Sequence, residues 1–239
     1  MINIINCADA PLTEKFVYFN DIKERVSSEV AEHIKTIGYT PVYGDIDLTS
    51  EGSVNNFLEP YKDNLVGAIL ANPPAIRGSI ENTDDEMWIK SREIFAVPLF
   101  NITQAAGKIF MQNKKGSIIY LNSVHAEKPA GDGFLYTMGC AAVQALCREA
   151  ALIYGSHNVG CYNIMRGIVE GEENCFASDY SPVHHNNELR FPKERVPPKD
   201  SLNELCAFLL SGGAYILNGT DLQADEGFTL YYGKSSYYK

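Results

Sequence analysis

Residues Leu65-Val66-Gly67-Ala68-Ile69-Leu70-Ala71 form an almost unbroken apolar run, and it limits the fold more than any other feature of the chain. Seven residues are too few for a buried helix and about right for a strand. A strand with one wet face alternates apolar and polar positions. One that does not alternate is covered on both faces, as in a parallel sheet with helices on either side. Parallel strands need crossover connections, so helical segments should lie between the strands.

They do. A short apolar run at 2–7 reads as a first strand and 15–20 (KFVYFN) as a second, ending at Asp21. Ile22, Val26, Val30 and Ile34 recur at fours and predict a helix over 22–37, stopped by Gly38. A third strand is expected at 40–46, followed by a helix capped by Thr49 or Ser50 and running to Tyr61. After 65–71 come a long helix at 84–112, a strand at 117–121, a helix at 135–154 and a strand at 160–165. A helix at 202–211 and a strand at 219–224 close the pattern. The alternation predicts one α/β domain over 1–239, a doubly wound, mainly parallel, Rossmann-like sheet in three layers. The stretch 170–200 is polar and irregular and contains His184-His185 and Pro197-Pro198.

A formal charge of −10 argues against a nucleic-acid or anionic-membrane partner, since both select clustered Lys and Arg. It does not exclude phosphate-bearing ligands such as NAD or coenzyme A, which need only a local patch. The six cysteines contain no Cys-x-x-Cys pair and fit scattered core thiols better than a disulfide frame or a zinc site. The amino terminus has no basic leader, and a cytoplasmic location is expected. His184-His185 lacks a carboxylate or thiol partner in sequence, so a solvated loop is favoured there over a metal site.

Ser123, in Asn122-Ser123-Val124, precedes Tyr136 by thirteen residues. This spacing resembles the serine and the Tyr-x-x-x-Lys of the short-chain dehydrogenase/reductase family. Other segments resemble the family in order and spacing. Asp47-Leu48-Thr49 is similar to its Asp-Val-Thr, where the aspartate abuts the adenine, and Leu70-Ala71-Asn72-Pro73-Pro74 stands where it has Asn-Asn-Ala-Gly, keeping only the second asparagine. Trp88 to Ala105 is similar to its long interface helix, Arg166-Gly167 to its Pro-Gly, and Ala224-Asp225-Glu226-Gly227 to its closing Val-Asp-Gly-Gly.

Three departures matter more than the matches. The family's lysine, which lowers the tyrosine's pKa and holds the nicotinamide ribose, is replaced by Cys140. A tyrosine titrates near ~10, so without that charge about one molecule in a thousand is phenolate at neutral pH. The family's catalytic asparagine falls at Phe95. Between Cys7 and Lys15, where the resemblance implies Thr-Gly-x-x-x-Gly-x-Gly for the pyrophosphate, seven residues contain no glycine, and Asp9 and Glu14 would repel a phosphate. The glycine loop and first helix are therefore expected to be truncated.

The resemblance thus implies inherited packing roles for Ser123 and Tyr136, a small core-like Cys140, and remnants of a cofactor site at Asp21, Asp47 and Asn72. Asp21 stands where NAD-preferring members bind the adenosine ribose, or else caps a helix. No catalytic residue, cofactor or metal is expected in this chain. It is read as the non-catalytic subunit of a heterotetramer with a homologous, active, NAD-dependent subunit. The contacts would run through 84–112 and 135–154, where Ala141, Ala142, Ala145 and Leu146 suit close helix packing. Tyr231-Tyr232 and Tyr237-Tyr238 are a second candidate partner surface. An autonomous enzyme with another cofactor or none, and a metabolite-sensing regulator, are the alternatives.

Overall fold

The computed structural model describes residues 14–23, 25–74, 78–129, 133–172 and 191–230. Six strands run parallel in the order β2-β1-β3-β4-β5-β6: β1 Lys15–Phe19, β2 Tyr39–Val42, β3 Leu65–Ala71, β4 Gly116–Ser123, β5 Val159–Arg166 and β6 Asp221–Ala224. Helices α1 Arg25–Thr36 and α5 Asn203–Leu210 cover one face. Helices α2 Glu51–Leu58, α3 Asp85–Asn113 and α4 Phe134–Tyr154 cover the other. The doubly wound expectation holds.

The period of two along each strand divides the core. Val17, Phe19, Ile69, Ala71, Ile119 and Leu121 join Val26, Val30 and Ile34 of α1 and Leu209 of α5. Tyr18, Ala68, Leu70, Ile118 and Tyr120 join the cluster under α3 and α4. The 29-residue α3 is long and apolar enough to cross a membrane by length and composition alone. Its hydropathy is accounted for by Phe95, Leu99, Ile102, Ala106 and Phe110, a buried stripe on the sheet. Asp84 starts this helix by accepting from the Met87 N–H at 2.8 Å.

The topology corrects two expectations. The strand at 15–20, expected second along the chain, takes the first strand's place in the sheet, an inner position flanked by β2 and β3. The helix that follows it, α1, is therefore the first crossover, and it is present with twelve residues. A doubly wound sheet has the order 3-2-1-4-5-6. Among the described residues no strand lies outside β2, and Tyr43 to Ser50 link β2 to α2 directly. The expected strand at 2–7, the histidines His184 and His185 and the four carboxyl-terminal tyrosines lie outside the described residues.

Candidate functional site

Parallel strands aim their carboxyl ends at one edge, and ligands bind there at the point where the strand order reverses. That point is the crevice between β1 and β3. Asn20, immediately after β1, spans it: Nδ2 donates to the Ala71 carbonyl at 2.9 Å, and Oδ1 accepts from the Ala71 N–H at 2.8 Å. A side-chain amide has the donor and acceptor of a peptide, so it adds one rung across the gap. In the next turn Asp21 Oδ1 accepts from the Lys23 N–H at 2.7 Å. An amide that elsewhere could meet a bound anion here meets the chain's own carboxylate. The segment 20–24 contains no glycine.

This register moves the candidate cofactor positions. Asp21 follows the first strand of the sheet rather than the second, and the acid after β2 is Asp45. Asp45 and Asp21 lie on the lining of a cleft of about 580 Å³, whose walls include Ile46, Leu48, Pro98 and Leu99. Asp47 is not part of that lining. Its Oδ1 accepts from the Thr49 hydroxyl at 2.6 Å and the Thr49 N–H at 2.9 Å, and these bonds hold its carboxyl below the usual range. Asn72, after β3, donates to Asn122 Oδ1 at 2.8 Å and to Cys140 Sγ at 3.4 Å, while Asn122 donates to the Cys140 carbonyl at 3.0 Å. Asn72 and Asn122 therefore tie β3, β4 and α4 together.

Ser123, Tyr136, Phe95 and Cys140 do come together. Tyr136 is 7% exposed, Phe95 2% and Cys140 not at all. The Phe95 ring meets Tyr136 edge to face with centroids 5.6 Å apart. Gly139 makes room for it, since a Cβ there would lie 2.6 Å from the Phe95 ring. The phenol hydrogen bonds with Ser123 and Asn72, and both bonds favour its ionised form, as does the nearby Arg166. Burial outweighs them together, and Tyr136 is held well above the ordinary tyrosine value. Burial likewise pushes the Cys140 thiol up to about 12 against the same Arg166 and Asn72.

Three participants were not legible beforehand. Ser123 Oγ lies 3.0 Å from His125 Nδ1 and also accepts from the His125 N–H at 3.2 Å, which fixes a short turn beside Tyr136. Arg166 makes a two-pronged pair with Glu172, at 2.7 and 3.1 Å, so its charge is largely satisfied before it reaches the phenol. Asn20 looks in sequence like any turn asparagine. Only the strand adjacency reveals its reach to Ala71.

A sequence profile described as enoyl-(acyl carrier protein) reductase matches residues 13–229. The chain is similar to the 2,5-dichloro-2,5-cyclohexadiene-1,4-diol dehydrogenase LinX of Sphingobium indicum, with 24% identity over 90% of this chain and 86% of that protein. It is similar to the enoyl-[acyl-carrier-protein] reductase [NADH] FabI of Bacillus cereus, with 21% identity over 89% of this chain and 84% of that one. Among solved structures, a gluconate 5-dehydrogenase from Burkholderia cenocepacia in complex with NADP and tartrate superposes with a TM-score of 0.78. That superposition covers 90% of this chain and 95% of the other at 17% identity.

Proposed function

The chain belongs to the short-chain dehydrogenase/reductase family, and we propose that within it this chain is a non-catalytic subunit, assembled with a homologous, active, NAD-dependent alcohol dehydrogenase subunit. Its relatives are oxidoreductases. The observation that supports a different role here is the conversion of the proton-transfer site into core. Phe95 occupies the place of the asparagine, Cys140 that of the lysine, and both are buried against a Tyr136 whose phenol is held protonated. A general acid–base group works best with a pKa near the operating pH and with its proton in reach of substrate. Tyr136 has neither.

The residues at the sheet's reversal point do not fit a dinucleotide either. A pyrophosphate site needs backbone amides on a small-residue turn. Here Asn20 bridges the crevice and Asp21 occupies the Lys23 amide with a like-charged carboxylate. No step of a hydride transfer is assigned to this chain.

NAD and the chemistry belong, in this reading, to the partner subunit of a heterotetramer. The sequence resembles the inactive subunit of the 2-[hydroxy(phenyl)methyl]succinyl-CoA dehydrogenase of anaerobic toluene breakdown through benzylsuccinate. We therefore propose a hydroxyacyl-CoA of that kind as the partner's substrate. Purification of the native protein, followed by identification of what accompanies it, tests the reading. The expected result is a stoichiometric complex with an intact family member and alcohol oxidation by the complex but not by this chain alone. Turnover by the isolated chain overturns it.

A further inference from the structure

We draw no further inference here: the strongest candidate, the exposed apolar side chains of Phe208 on α5 and of Tyr215 and Ile216 in the helical turn before β6, carries nothing because no observation in the structure shows what covers them.

Discussion

At the scale of single residues, the proposal that the proton-transfer site serves as packing rests on side chains that support one another. Phe95 needs the space that Gly139 leaves, and its ring then seals Tyr136 from water. A thiol at Cys140 suits this dry setting, and a lysine would not. Cys140→Lys should leave the chain without alcohol oxidation and cost about 1–3 kcal/mol, because a buried ammonium would replace a neutral thiol beside Tyr136 and Asn72 and within the field of the Arg166 guanidinium. Urea unfolding and a turnover assay on the single variant check both halves. The same burial governs reactivity. Cys140, Cys161 and Cys206 are each pushed up to about 12, and Cys147 is raised as well. Alkylation at pH 8 followed by peptide mapping should find these four thiols unmodified in the folded chain and modified in urea. The linkage has a definite sign. The thiols are neutral in the fold and ionise near 9 when exposed, so their contribution is intact below pH 9 and declines as pH rises towards 12. A melting temperature that rose over that interval would contradict the assignment.

At the scale of elements, Asn20 joins β1 to β3 where backbone pairing ends. Removing it leaves the Ala71 N–H and carbonyl without these partners at the sheet edge. Asn20→Ala should therefore cost about 1–3 kcal/mol in urea unfolding, with no change in the slope that reports exposed area. The sequence reveals much of this architecture and misses its most consequential detail. The unbroken apolar run at β3, the fours of α1 and the long stripe of α3 each follow from burial, which local pattern records faithfully. Strand adjacency is different. Residues 2–7 and 15–20 are both short apolar runs, and nothing local says which lies beside β3. Counting the first as a strand makes 15–20 the second and Asp21 the acid at its end, whereas the order of the described strands puts β2 at Tyr39–Val42 and the acid after it at Asp45. Phe95 and Cys140 are residue identities and so are legible in sequence. The roles of Asn20 and of the Arg166–Glu172 pair were not, because they depend on partners set by tertiary contact.

At the scale of the whole molecule, function must lie on a surface if the centre is inert. Along α4 the exposed positions are Met138, Ala141, Ala142, Ala145, Arg148, Glu149, Leu152 and Ile153, with Met138 41% and Leu152 78% exposed. The inward positions Val143, Cys147, Ala150 and Tyr154 pack on the sheet and on α3. Small outward side chains let another helix approach closely, and close approach tolerates no bulky charge. Ala145 is exposed in this chain, so Ala145→Arg should not disturb its own fold, and circular dichroism and melting should match the parent. In a complex with the active subunit the same guanidinium would be buried without a partner or would hold the helices apart. Tyr136→Phe serves as the counterpart: it removes only a hydroxyl from a packed site to which this reading assigns no chemistry. Each variant, co-expressed with the active subunit, should be followed by light scattering for assembly and by alcohol oxidation for turnover. Ala145→Arg is expected to reduce both together, and Tyr136→Phe neither. If Tyr136→Phe abolishes turnover while the complex keeps its mass, the phenol is chemically engaged and the chain is an enzyme.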